Sequence, residues 1–148
     1  MKRAVAGLVS LVALAAALPA AARDDRLKFP VDAALAKGQN YKEKIDPKIK
    51  LYFGKPSNLK VGKTIGEWTS NKKTNAFNKS DQEACDIAFI SAAVSLQDRA
   101  KREGGNAVIN IHSVYKNDKF ESTREYLCGA GATMAGVALR GTVVTLGK

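Results

Sequence analysis

The sequence predicts an α+β fold, in which a small mixed or antiparallel sheet of about five strands packs against one long helix near residues 80–103. Two observations indicate this class. One long amphipathic segment carries both helix start and helix stop signals, and several shorter alternating or apolar segments lie before and after it. The chain has no internal repeat, and residues 23–148 have the length of one domain.

The first 22 residues have the pattern of a cleavable secretory signal peptide. Two basic residues precede an apolar run that ends at Leu18, and Ala20–Ala22 supplies the small residues of a cleavage site. A membrane-spanning helix needs about 20 apolar residues, and this run is shorter. We therefore expect cleavage at Ala22–Arg23, a single mature α+β domain over 23–148, a periplasmic or secreted location and no transmembrane anchor.

Before the long helix, the chain predicts short elements separated by turn residues. In order, these are an extended lead-in over 23–30, a short helix capped by Asp32 and ended by Gly38, strands over 48–53 and 63–70, and a polar loop over 71–79. The first of these strands is the clearest. Ile49, Leu51 and Phe53 alternate along it and so share one face.

The long helix has the strongest signals. Ser80 and Glu83 form a capping box, and Gly104 is a natural residue to follow the last turn. Acidic residues lie in the first turns and basic residues in the last, as the helix dipole favours. Ala84, Ile87, Ala88, Ser91 and Val94 form an apolar stripe that other apolar residues widen, which predicts packing against a sheet.

After the helix, three strands are predicted. They cover 106–114, 122–130 and 134–146, with a turn over 115–119 and with Gly141 as a candidate bulge. Small residues between Gly129 and Gly136 predict close packing of this backbone against a neighbouring element.

Two cysteines, Cys85 and Cys128, are predicted to form a disulfide bond. A small even number of cysteines in an exported chain usually means a cross-link. Bridging 43 residues would stabilise the fold by roughly 3–4 kcal/mol on the loop-entropy model. A buried free pair and a thiol metal site are the alternatives.

The net charge of +10 comes mainly from one segment. Residues 37–79 hold 11 lysines and 3 acidic residues, whereas the rest of the mature chain is balanced. The segment is either a solvated face or a contact surface for an anionic envelope component, such as lipopolysaccharide, acidic peptidoglycan or anionic phospholipid. An envelope protein is a further candidate partner, and nucleic acid is not expected. The candidate contact residues, called the lysine set below, are Lys42, Lys44, Lys48, Lys50, Lys55, Lys60, Lys63, Lys72, Lys73 and Lys79.

No constellation indicates catalysis. Ser57–Thr64 differs from a P-loop by one residue, but a strand rather than a helix is predicted to follow it. The chain lacks a G-x-S-x-G motif and a recognisable acid–base pair. The only histidine, His112, is a weak metal candidate, because no closely spaced ligand pair accompanies it. We therefore expect neither enzymatic activity nor a cofactor.

Several stretches carry a family resemblance. These are Ser70–Ser80, Gly105–Ile109, Glu125–Cys128 and Met134–Thr142. They resemble a family of small secreted proteobacterial proteins whose members often carry the description "excinuclease ATPase subunit". The residues do not support that activity, because such an ATPase needs intact P-loops, zinc modules and a far longer chain.

Residues 84–146 also resemble heavy-metal-binding domains of the YbjQ type and envelope stress-sensor lipoproteins of the RcsF type. The first resemblance implies a compact sheet with a packed helix, oligomeric in some members, so that a homo-oligomer is compatible with it. The second implies an envelope domain stabilised by disulfides. The metal label has no matching ligand set here, and the lipidated cysteine of the sensor is missing.

The leading hypothesis is a non-enzymatic periplasmic or secreted domain that binds an envelope partner or an anionic surface. The alternatives are a metal-binding protein that uses His112 with thiols, a protein of envelope stress signalling, and a small hydrolase or redox enzyme.

Overall fold

The structure is a computed structural model that describes residues 23–147. The predicted signal peptide over 1–22 lies outside the described residues. Seven strands form one mixed sheet, and a helix of 22 residues packs against it, so the predicted α+β class is confirmed. Within the described range, no helix combines the length and the apolar character needed to cross a bilayer.

The elements have the following bounds. The strands are β1 (Asp25–Pro30), β2 (Lys50–Phe53), β3 (Val61–Asn75), β4 (Ala107–Tyr115), β5 (Asp118–Phe120), β6 (Glu125–Ala130) and β7 (Met134–Leu146). The helices are α1 (Val31–Lys37), which continues into a 3-10 turn over Gly38–Asn40, and α2 (Asp81–Arg102).

Strand β7 is the centre of the sheet. β3 pairs antiparallel with β7 along one edge, over the full length of both strands. Along the other edge, β7 pairs with β4 at one end and with β6 at the other. β2 then extends β4 in parallel, β1 extends β6, and β5 forms a hairpin with the end of β4. The outer strands are therefore β3 on one side and β1 and β2 on the other.

Strand β3 is longer than the sequence predicts. The segment 71–79 was expected to be a loop, but the strand continues to Asn75, and Thr74 lies opposite Ala135 of β7. An outer strand of an antiparallel sheet keeps contact with water and does not need a continuous apolar face. The polar composition of this segment therefore concealed a strand.

Two further strands replace predicted irregular segments. The lead-in over 23–30 contains β1, which pairs with β6, and the turn over 115–119 contains the start of β5. Both strands are short and largely polar, so that only their pairing partners define them. They bring the number of strands from the expected five to seven.

Two local predictions need correction. Asp32 lies in the first turn of α1 and does not cap it, because Pro30 occupies the N-cap position. The bulge expected at Gly141 lies instead on β4, where the pairing with β7 shifts after Ile109 and Asn110 has a φ of 53°. Gly141 permits this arrangement, because a Cβ there would lie 2.5 Å from Val108 Cγ1.

Helix α2 begins and ends as predicted. The Ser80 hydroxyl accepts a hydrogen bond from the Glu83 amide at 3.1 Å, and Gly104 follows the helix with a φ of 81°. Its buried face is centred on Ala88, Phe89 and other residues of the wider stripe, whereas Ile87, Ser91 and Val94 lie half-buried at its flank. The small side chains on the buried face allow the helix to lie close to β7 and β3.

A disulfide bond joins α2 to β6. The Sγ atoms of Cys85 and Cys128 are 2.04 Å apart, and both residues are fully buried in the core between the helix and the sheet. The bond therefore crosses from one layer of the fold to the other.

We predict that the double variant Cys85→Ala/Cys128→Ala loses about 3–4 kcal/mol of unfolding free energy, because the unfolded chain regains the entropy of an open loop. Urea unfolding with and without dithiothreitol measures this loss. Reduced wild type should match the variant, and the variant should not respond to dithiothreitol. A wild-type midpoint that is unchanged by reduction would contradict the prediction.

Candidate functional site

The lysine set is largely exposed, and its charges are not compensated within the described residues. Eight of the ten side chains are exposed, and Lys72 and Lys79 are half-buried. Over residues 23–147, none of the ten lies within 4.0 Å of a carboxylate oxygen. An external anion would therefore not compete with an internal ion pair.

The acidic residues of the same segment contact other groups. Asp46 pairs with Lys101 at 2.7 Å, and Glu67 lies 3.8 Å from Arg140. Glu43 accepts a hydrogen bond from the Ser91 hydroxyl at 2.7 Å. Each acidic side chain of segment 37–79 therefore has a polar partner other than the ammonium groups of the lysine set, and Asp46 also accepts a hydrogen bond from the Lys48 backbone amide at 2.8 Å.

The lysine set lies along both edges of the sheet. Lys50 lies on β2, whereas Lys63, Lys72 and Lys73 lie on β3. β7 and β4 lie between these outer strands, which places them about 14 Å apart at the usual strand spacing. Lys42 and the outer edge of β3 at Lys73 and Thr74 border a depression beside α2. The structure therefore distributes the lysines around the sheet and does not gather all ten into one patch.

A buried glutamine fixes the loop before β2. The Gln97 side chain accepts from the Asp46 amide at 2.9 Å and donates to the carbonyl oxygens of Asp46 and Ile49 at 2.9 and 2.8 Å. Gln97 is 1% exposed, and these three hydrogen bonds give partners to both the oxygen and the nitrogen of its buried side-chain amide. The backbone that carries Lys48 is consequently held against α2.

The sheet face turned away from α2 carries a groove, called the sheet-face groove below. Its floor is formed by Gly136, Ala138 and Arg140 of β7, whose neighbours Val137 and Leu139 point towards α2. Its walls are Thr69, Asn71 and Lys73 of β3 on one side, and Lys116, Asn117 and Lys119 of the β4–β5 hairpin on the other. It consists of two adjoining depressions of about 460 and 360 Å³ that share Lys116.

The register of β3 against β7 sets the shape of this groove. Thr69 lies opposite Arg140, Asn71 opposite Ala138, and Lys73 opposite Gly136. The small floor residues Gly136 and Ala138 therefore have the larger polar side chains of Lys73 and Asn71 beside them, which forms a trough there. At its end, the Arg140 side chain donates a hydrogen bond to the Thr69 hydroxyl at 2.9 Å.

The other wall of the groove contains a constrained turn. Tyr115 pairs with Asp118, and the two residues between them, Lys116 and Asn117, have φ values of 46° and 66°. This is the geometry of a type I′ turn, for which glycine and asparagine are usual and lysine is not. The left-handed backbone costs Lys116 about 1–2 kcal/mol, and its ammonium group lies 2.7 Å from a carboxylate oxygen of Asp24.

The glycines next to this wall make room for an aromatic ring. The Tyr115 ring lies so close to Gly129 that a Cβ there would be 2.1 Å from it, and it also lies against Gly136. The Arg26 guanidinium lies 4.7 Å from the centre of the ring on the solvent side. The small-residue stretch therefore serves close packing, as the sequence predicts.

A buried carboxylate at Asp86, one of the acidic residues in the first turns of α2, links three elements. Asp86 is fully buried in α2, accepts a hydrogen bond from the Tyr126 hydroxyl at 2.5 Å and pairs with Lys37 at 2.8 Å. The Phe89 ring stacks on Tyr126 with ring centres 4.2 Å apart. Burial and the bond to Asp86 raise the pKa of Tyr126 well above its ordinary value of 10.0. Because Asp86 does not contact solvent, we interpret the cluster as structural.

The residues of the metal hypothesis do not come together. His112 lies on β4 opposite Arg140, and its Nδ1 donates to the Asn110 carbonyl oxygen at 2.8 Å. Cys85 and Cys128 are bonded to each other in the core. Residues 23–147 contain no group of three histidine, cysteine or acidic side chains placed to hold a metal ion.

The P-loop-like segment has a different structure from a P-loop. Ser57 lies in a bend, whereas Gly62, Lys63 and Thr64 belong to β3, and no helix follows them directly. The segment therefore lacks the helix N-terminus that a phosphate loop requires.

Among the groove residues, the sequence predicts only Lys73 as part of a contact surface. Asn71, Lys116, Asn117 and Lys119 lie in the predicted loop over 71–79 and the predicted turn over 115–119, whereas Thr69 and the floor residues lie in predicted strands. A usable signal existed in the alternation of Thr69, Asn71 and Lys73, since residues two apart in a strand share one face.

In comparisons with known proteins, no family model, curated protein or solved structure matches the chain. The resemblances described above therefore stay predictions.

We predict that Tyr126→Phe lowers the unfolding free energy at pH 8 by about 1–3 kcal/mol, because one oxygen of the buried Asp86 carboxylate loses its partner. Urea unfolding measures this loss. Phe29→Leu, which alters a neighbouring ring but no hydrogen bond, is the control. A variant as stable as the wild type would contradict the prediction.

The same variant tests the pH dependence. Tyr126 has a raised pKa in the fold, so its contribution is fully present below pH 10 and is lost as the pH rises, because the unfolded tyrosine ionises first. Between pH 10 and 11, the wild type should lose about 1 kcal/mol more than Tyr126→Phe does, since the unfolded tyrosine is already half ionised at pH 10. The raised pKa of Lys37 acts in the same direction in both proteins and cancels to first order. Parallel alkaline unfolding curves would refute this contribution.

Proposed function

We propose that this protein is a non-enzymatic, extracytoplasmic domain that binds an anionic component of the bacterial envelope through its lysine set. One observation carries the proposal. The ten lysines have no carboxylate partner among residues 23–147, while the three acids of their own segment contact other groups. Exposed ammonium groups without internal partners produce a field that attracts external anions.

The extracytoplasmic location is supported by two independent features. Cys85 and Cys128 lie at disulfide distance, and such bonds persist in oxidising compartments. The first 22 residues have the composition of a signal peptide. The mass of the protein exported from the full chain tests this part directly, since cleavage at Ala22–Arg23 gives one expected value.

Half of the lysine set is carried by paired strands or by a hydrogen-bonded loop, which favours a binding role over a solvated face. β3 is paired with β7 along its full length, and Gln97 fixes the loop that carries Lys48. A fixed array of charges loses less conformational entropy on binding than a flexible segment does.

We predict that the exported, oxidised protein co-sediments with vesicles that contain phosphatidylglycerol, and not with vesicles of phosphatidylcholine alone. Binding should weaken steeply between 50 and about 300 mM NaCl, because salt screens exposed charges. Lipopolysaccharide aggregates provide a second anionic probe. Salt-independent binding, or none to either anionic probe, would overturn the proposal.

Charge variants distinguish the lysine set from net charge. Lys72→Gln/Lys73→Gln should weaken vesicle binding about 30-fold, at roughly 1 kcal/mol for each lysine. The control Lys28→Gln/Arg124→Gln removes the same charge at exposed positions outside the set. Equal losses in the two double variants would show that net charge alone drives binding.

A further inference from the structure

We propose that the sheet-face groove binds one strand of an acidic glycan, a carboxylated or phosphorylated oligosaccharide. This inference rests on the proposed function and names a ligand class and a place for it. Lys73 belongs to both the groove and the lysine set, so the two surfaces meet there.

The shape of the groove favours a chain over a bilayer. Its floor at Gly136 and Ala138 is below the side chains of Asn71 and Lys73, which stand beside it in register. A flat layer of lipid headgroups would meet only the walls, whereas a single extended polymer strand can reach the floor. The two depressions, of about 460 and 360 Å³, are each within the size range of small-molecule sites.

The chemistry of the walls matches a sugar acid. Thr69, Asn71 and Asn117 carry neutral groups that can both donate and accept hydrogen bonds, as sugar hydroxyl groups do. Lys73 and Lys116 stand on opposite walls and offer cations to carboxylate or phosphate groups. The trough therefore offers neutral hydrogen-bonding groups next to cations, which suits a polysaccharide that carries hydroxyl and acid groups.

The acidic residues at the rim of the sheet-face groove pair with cations other than Lys73. Asp24 pairs with Lys116, Glu67 lies near Arg140, and Glu121 lies 3.9 Å from Lys119. No carboxylate of residues 23–147 lies within 4.0 Å of the Lys73 ammonium group. Lys73 is thus the cation for which a ligand would be the first partner.

The backbone conformation of Lys116 supports a binding site in the same groove. A lysine in the left-handed region is uncommon, and such outliers concentrate at binding sites. The type I′ turn holds this residue at the junction of the two depressions, where a bound strand would pass from one to the other.

The test is calorimetric titration of the exported, oxidised protein with oligogalacturonate, with neutral maltooligosaccharide as the control ligand. We expect binding to oligogalacturonate only. Lys73→Gln should weaken it about tenfold, as the loss of a hydrogen bond to a charged group does. Lys72→Gln is the matched control, because the adjacent residue lines a depression on the α2 side, and its affinity should stay within about twofold of the wild type.

A second variant separates shape from charge. Ala138→Leu fills the floor without changing the charge and should also weaken binding about tenfold, because the larger side chain displaces the ligand from the floor. Its urea midpoint is measured first, and Asn71→Ala replaces it if it does not fold. If Lys72→Gln and Lys73→Gln lose affinity equally and Ala138→Leu loses none, the proposal that the glycan binds in the groove is overturned.

The outcomes for the two proposals are separable. If the wild type ignores oligogalacturonate but still sediments with anionic vesicles, the groove proposal fails and the proposed function stands. If it binds neither probe, both fail.

Discussion

The beginning of α2 is fixed to β6 by two adjacent contacts, and the rest of the fold depends on this attachment. Cys85 is bonded to Cys128, and the next residue, Asp86, accepts a hydrogen bond from Tyr126. Two contacts at adjacent residues oppose both sliding and rotation of the helix relative to the sheet. Lys37 extends the attachment to α1. The helix therefore covers one face of the sheet permanently and leaves the other face to be covered by loops.

The second face is covered at only one end. A small apolar cluster of Ala107, Ile109 and Val144 lies beneath Tyr52 and Leu59, on either side of the β2–β3 turn. At the other end, the residues that β7 presents on this face include the small Gly136 and Ala138. No helix crosses this end within the described residues, and the β4–β5 hairpin rises beside it. The groove therefore forms because the main core lies on one face of the sheet, and because β7 carries small residues at this end of the other face.

The sequence predicted the elements whose signals are local. The capping box at Ser80 and the glycine at 104 define α2, and apolar content reveals β4 and β7. The last third of β3 was not predicted, because its polar residues become a strand only through pairing with β7. Asp86 was also misjudged, since its burial depends on Tyr126, 40 residues away. Contacts between residues distant in sequence leave little local pattern, and for β3 this pattern was only the alternation of Thr69, Asn71 and Lys73.

The basic segment shows why composition could not locate a site. Lys72 and Lys73 are neighbours with the same charge, but the pleat of β3 turns one towards α2 and the other towards the groove. A count of lysines treats them as one feature, whereas the strand assigns them to different surfaces. The register of β3 therefore decides which of the cations of residues 37–79 a ligand on either face of the sheet would meet.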